Sequence, residues 1–97
     1  MAPTQARSSP TAPLALVLYS RVGCHLCDQT QQALEQLQEP CGFCLQVLDV
    51  DEDPELEQRH GWFVPVLMYQ DQEIFHYQMD QEKLLAFLQT LRARALP

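Results

Sequence analysis

Two cysteines three positions apart, placed where a strand gives way to a helix, constrain this chain more than any other feature. The stretch Arg21-Val22-Gly23-Cys24-His25-Leu26-Cys27 follows the apolar run Leu14 to Tyr19 and precedes an amphipathic run from Asp28 to Gln38. Read as strand, turn and helix, it sets both cysteines at the start of the helix. Three residues is nearly one helical turn, so the two sulfurs lie on one side and can bridge. The first sulfur falls at the helix N-terminus, where unpaired N–H groups and the macrodipole favour negative charge. A thiol there gives up its proton more readily, and the thiolate is the reactive species. C-x-x-C at a strand-to-helix turn therefore points to thiol–disulfide chemistry. The plain alternative is two small apolar side chains packed at a helix start.

The elements on either side follow from periodicity. Leu14 to Tyr19 is a continuous apolar run of strand length, which predicts a strand buried on both faces. Leu26, Thr30, Ala33, Leu34 and Leu37 recur at a helical period, and the helix is expected to stop before Pro40 and Gly42. Cys44 to Val50 predicts a second strand, with Leu45, Val47 and Leu48 inward. A short acidic helix follows, capped by Asp53, opened by Pro54 and ended by Gly61. Val64 to Gln70 and Glu73 to Gln78 predict a hairpin turning at Asp71-Gln72. Asp80 caps a last helix whose Leu84, Phe87, Leu88 and Leu91 form one apolar stripe. The order is β-α-β-α-β-β-α. The helical crossover predicts that the first two strands are parallel.

Ninety-seven residues suit one domain with a small core. Thirteen acidic against six basic residues give a net charge of −7, which argues against nucleic acid and anionic membranes as partners. No apolar run approaches the ~18 residues that span a bilayer. Residues 1–13, with Pro3, Pro10 and Pro13 and no acid, predict a disordered tail rather than a targeting segment. The expected setting is a reducing cytoplasm, where cysteine pairs are catalytic or metal-binding rather than structural. A monomer is expected.

The element order, the Cys24-His-Leu-Cys27 motif after Leu18-Tyr19-Ser20, and Phe63-Val64-Pro65-Val66 opening the third strand resemble the glutaredoxin-like branch of the thioredoxin fold. The resemblance covers about Leu14 to Arg94, and residues 14–97 would form the domain. It implies an α/β architecture: a four-stranded mixed sheet flanked by helices. It also implies thiol–disulfide oxidoreductase activity, with Cys24 the nucleophile and Cys27 the residue that resolves the mixed disulfide. The proline matching Pro65 is cis in that family and lies beside the cysteines, so Val64-Pro65 becomes a substrate-docking edge. A proline at a strand start leaves the preceding backbone free to pair with an extended substrate. An ordinary trans proline on an edge strand is the alternative.

Other residues carry smaller expectations. His25 lies between the cysteines, where a protonated ring would stabilise a neighbouring thiolate; it is equally well a solvent-facing spacer. Arg21, the cation just before the motif, can attract the anionic end of glutathione or can be a surface arginine. Glutaredoxins commonly carry Pro-Tyr inside the motif, and a Gly-Gly after the fourth strand that lets glutathione approach the backbone. Here these stretches read His25-Leu26 and Tyr77-Gln78-Met79-Asp80. Asp80 remains available for the glutathione amine. With no cofactor expected, glutathione is a poor reductant on this reading. A thioredoxin-reductase-like protein serves instead, with protein or small-molecule disulfides as substrates.

The second pair, Cys41-Gly-Phe-Cys44, lies at near-zinc spacing from the first. A helix between the pairs would hold them about 20 Å apart, so no shared metal site is expected. Cys44 is read as a buried strand residue and Cys41 as a loop thiol. Asp49, Asp51 and Asp53 suggest a calcium loop, but Pro54 and His60 stand where that loop needs Gly and Glu. Trp62 and Phe63 are assigned to core packing, with an apolar substrate groove as the alternative. His76 and Tyr77 are given surface and core roles. The competing class for the whole chain is a redox-silent binding module, or a carrier of zinc or an iron–sulfur cluster on Cys24 and Cys27.

Overall fold

The structure is a computed structural model and describes residues 14–95. The expected tail, residues 1–13, lies outside the described residues. The elements run β1 (Leu14–Ser20), α1 (His25–Cys41), β2 (Phe43–Asp49), a single 3₁₀ turn (Val50–Glu52), α2 (Pro54–His60), β3 (Val66–Tyr69), β4 (Gln72–His76) and α3 (Gln81–Ala95). The four strands form one mixed sheet in the order β2-β1-β3-β4. β1 pairs with β2 in parallel and with β3 antiparallel; β3 and β4 form the antiparallel hairpin. This is the expected α/β arrangement.

The alternation of β1 divides the molecule. Leu16, Leu18 and Ser20 point to one face and are buried. Leu16 and Leu18 meet Leu34 of α1 and Leu84 and Leu88 of α3 in the main core, closed by Phe43, Leu67, Ile74 and Phe75. Each such side chain, fully buried, contributes about 1.5–3 kcal/mol. A smaller cluster of Cys27, Val50 and Val64 gathers at the C-terminal end of β1, with Tyr19, Cys24 and Leu56 against it. Thus the main core holds α1 and α3 on the sheet, and the second cluster seats the N-terminus of α1.

Several expectations are corrected. α1 runs through Pro40 to Cys41, and Gly42 ends it with a left-handed φ of 73° and its N–H on the Gln38 carbonyl. The sequence reading stops the helix too early because proline usually breaks it, but one in the last turn sacrifices a single internal bond. β2 spans Phe43–Asp49 and is an edge strand, so Val47 is exposed and only Phe43 is deeply buried. Cys44 alternates with Phe43 and is exposed, while Cys41 is half-buried at the helix end. The hairpin turns at Gln70-Asp71, one residue earlier than expected, with Gln70 at φ 54°. Tyr77 follows β4 at φ 72° and is exposed, not core.

Candidate active site

Three residues after β1 make the corner that presents the cysteines. Gly23 takes a φ of 83°, a conformation that side chains with a Cβ rarely adopt. The Cys24 N–H donates to the Arg21 carbonyl at 3.1 Å, closing the turn. Cys24 is the N-cap of α1, with extended backbone, and its sulfur accepts a hydrogen bond from the Cys27 N–H at 3.1 Å. The two residues are joined as a disulfide, with Cα atoms 5.2 Å apart. Cys24 is partly exposed, whereas Cys27 is wholly buried in the small cluster. The two residues of the pair thus differ in exposure. A reduced Cys24 sulfur would sit where a helix N-terminus favours negative charge.

His25 projects into solvent, with its ring Nε2 3.2 Å from the Gln29 side-chain nitrogen. All three guanidinium nitrogens of Arg21 have partners within the chain. Its Nε donates to Asp51 at 3.0 Å, its Nη2 to Glu57 at 3.0 Å, and its Nη1 to the Gly61 carbonyl at 3.3 Å. The Asp51 hydrogen bond is the main cause of a raised Arg21 pKa. Its charge is therefore met from within the chain before any anionic ligand arrives. Gly61 must be small for this clamp: a Cβ there would lie 2.5 Å from the Glu57 carbonyl oxygen and 3.0 Å from Arg21 Nη2.

Val64 packs in the cluster with Cys27, and the Val64-Pro65 bond is cis. The Tyr77 N–H donates to the Phe63 carbonyl at 3.1 Å and to the Pro65 carbonyl at 2.7 Å. Among the described residues, no loop or turn backbone bond uses Val64 itself. Trp62 and Phe63, just before it, are exposed, so their core assignment is overturned. Phe63 meets His76 edge-on, with ring centroids 5.4 Å apart. Asp80 stands apart from the cysteines in role: its carboxylate caps α3 by accepting the Lys83 N–H at 3.0 Å.

The sequence reading missed Asp51 and Glu57 as partners of Arg21, and His60 as a partner of Tyr19. His60 stacks on Tyr19 with centroids 4.4 Å apart. Burial, then the charge of Arg59, lowers its pKa below the ordinary value of 6.5, with Glu73 opposing. The one signal for the clamp was a lone arginine ahead of an acidic run, Asp49 to Glu57. A contact between residues 30 or more positions apart has no local signature. Among the described residues, no three His, Cys, Asp or Glu side chains converge to hold a metal. Cys24-Cys27 and Cys41-Cys44 sit at opposite ends of α1, whose 17 residues span about 25 Å.

Residues 15–89 match the sequence model of the glutaredoxin-like domain family, so the chain belongs to that family. Two solved structures resemble it at the level of sequence. A protein of Nitrosomonas europaea, Ne2328, is 36% identical over 77% of this chain and 91% of its own, with a TM-score of 0.68. Protein XcR50 of X. campestris is 34% identical over 84% of this chain and 99% of its own, with a TM-score of 0.62. Thioredoxin 1 of Thermosipho africanus shares the fold, with a TM-score of 0.62 over 84% of this chain and 98% of its own, at 14% identity. No curated protein sequence matches the chain. Among the described residues, no helix is long and apolar enough to cross a membrane.

Proposed function

We propose that this glutaredoxin-like chain is a dithiol–disulfide oxidoreductase of the reducing cytoplasm. The observation that carries the reading is the asymmetry of the pair: Cys24 at the helix N-cap and partly exposed, Cys27 one turn in and buried. In the reduced protein the Cys24 thiolate attacks one sulfur of a substrate disulfide. A Cys24–substrate bond forms, the substrate S–S bond breaks, and the departing thiolate takes a proton from solvent. Cys27, deprotonated, then attacks the Cys24 sulfur and releases the second substrate thiol. Two electrons have passed to the substrate and Cys24–Cys27 is the product disulfide. The open Val64 edge suits an extended segment of a protein substrate.

The electron donor that fits best is a reductase protein rather than glutathione. Arg21 is already paired with Asp51 and Glu57, residues 77–80 carry no glycine, and Asp80 is committed to the α3 cap. The net charge of −7 also opposes a peptide that is itself anionic. The test supplies reduced protein with a small neutral disulfide. Turnover is then driven either by millimolar glutathione with its reductase or by a thioredoxin-reductase system. Reduction that requires Cys24 and runs faster with the second donor is expected. Absence of reduction with any donor overturns the redox reading; rapid saturable turnover with glutathione overturns the choice of donor.

A further inference from the structure

Beside the motif, on the α1 side of the sheet, an open cleft of about 370 Å³ is lined by Ser20, Arg21, Val22, Asp28, Gln31, Val47, Asp49 and Glu52. Three observations bear on its occupant. Three carboxylates line it, against one guanidinium, and that guanidinium already faces Asp51 and Glu57 outside it. Ser20 ends β1 on the buried face and is only 8% exposed. Among the described residues no side-chain hydrogen bond engages its hydroxyl, which keeps donor and acceptor capacity at the cleft wall. Finally, Arg21-Val22 and Asp28, which line the cleft, flank the Gly23–Cys27 stretch in sequence, so the cleft is walled in part by chain neighbours of the motif.

We propose that this cleft is a subsite for the guanidinium or ammonium group of a basic side chain next to the disulfide cysteine of a polypeptide partner. A hydroxyl accepts one hydrogen bond while donating another, so Ser20 can take an N–H from the incoming cation. Asp49 keeps acceptor capacity although its Oδ1 caps the Asp51 N–H at 2.9 Å. The carboxylates do not converge as a metal site, among the described residues. They suit an extended organic cation with several donors rather than a small ion. The subsite rests on the redox reading for its role and supplies what that reading lacks, a preference among disulfides.

The test uses peptides whose single cysteine is disulfide-linked to thionitrobenzoate, with arginine, alanine or glutamate two positions away. Reduced protein is expected to release the chromophore from the arginine peptide about threefold to tenfold faster than from the glutamate peptide. The ratio should fall as salt is raised. Asp49→Asn with Glu52→Gln should bring the ratio near one, and Ser20→Ala should lower it. Glu39→Gln, at the far end of α1, should leave it unchanged. An arginine-to-glutamate ratio near one in the unaltered protein, or one insensitive to the cleft variants, overturns the subsite. A redox-inert arginine peptide with serine for cysteine separates the two readings. Amide NMR shifts at Ser20, Gln31 and Asp49 in the oxidised protein are expected whether or not the chain reduces disulfides. Their absence overturns the cleft, whereas shifts without chromophore release overturn only the oxidoreductase.

Discussion

α1 carries a C-x-x-C pair at each end, and only one holds its two sulfurs together. At its N-terminus Cys24 caps the helix, accepts the Cys27 N–H, and is bonded to Cys27. At its C-terminus the chain reverses through Gly42, so Cys41 packs against the main core and Cys44 lies exposed on β2. The spacing is identical; the backbone it spans is not. Within a helical turn the spacing puts two sulfurs on one side. Across a left-handed cap and into a strand it sends them apart. The macrodipole also presents its positive end, which favours negative charge, at the first pair. Sequence spacing is therefore a question about local conformation, not an answer about chemistry.

The sharpest way to break this contrast is to remove sulfur at each end. Cys24→Ser is expected to lower disulfide reduction by on the order of a thousandfold or more, since the nucleophile is lost. Cys27→Ser should instead accumulate a mixed disulfide detectable by mass. Cys41→Ser with Cys44→Ser should keep turnover within about twofold, since both residues lie at the opposite end of α1 from Cys24 and Cys27. Loss of activity in that double variant would show that the second pair takes part.

A second test moves from chemistry to stability. Gly42 at φ 73° favours glycine, and a Cβ there would approach Arg92 Nη2 at 2.8 Å. Arg92 donates to the Cys41 carbonyl and, at 3.4 Å, to that of Gly42. Gly42→Ala is expected to cost about 1–3 kcal/mol, combining the left-handed penalty with disturbance of those bonds. Thermal unfolding should then fall by roughly 4–8 °C per kcal/mol. Turnover measured well below the transition should be retained. A variant that stays stable but loses activity would mean that the two ends of α1 are coupled.

What the sequence revealed follows the same division. Element order, the pairing of Cys24 with Cys27 at the start of α1 and the caps at Asp53 and Asp80 were legible because each depends on residues within a few positions. The parallel pairing of β1 with β2 followed from the crossover helix. Exposure was less legible. Periodicity orders residues within an element but does not say which neighbour covers a face. β2 reads as apolar at Val47 and Leu48, yet it is the sheet edge. Trp62 and Phe63 read as core by composition, yet they precede Val64-Pro65 on an open surface. The Arg21 clamp joins residues brought together only by the fold.

Alkylation at neutral pH sharpens the comparison without mutation. Cys44 is the more exposed thiol, so access alone favours it. The helix N-terminus favours Cys24. In the fully reduced protein Cys24 is expected to react with iodoacetamide about tenfold faster than Cys44, followed by peptide mass spectrometry over time. Equal rates would mean that exposure outweighs the dipole, and that the N-cap position confers no special reactivity.

The smallest effect expected is a pH dependence confined to the Tyr19 side of the site. Burial and Arg59 lower the His60 pKa in the folded protein, so the unfolded chain holds the proton more tightly. The neutral ring therefore contributes stability that is fully present above the unfolded value of about 6.5. That contribution is lost as pH falls through the lower, folded value. The melting temperature should drop between about pH 7.5 and pH 5.5 more steeply in the unaltered protein than in His60→Gln, whose side chain does not titrate in that range. Comparing slopes rather than absolute values removes the constant cost of losing the ring stack, 4.4 Å between centroids, on Tyr19. Because Tyr19 packs on the Cys27–Val64 cluster, loosening there should make Cys27 alkylation in the reduced protein slow less on acidification than the loss of thiolate alone dictates. Cys44, at the far end of α1, should show no such extra change. Parallel slopes in the two proteins would place the pH response elsewhere, and a matching change at Cys44 would show that the two ends open together.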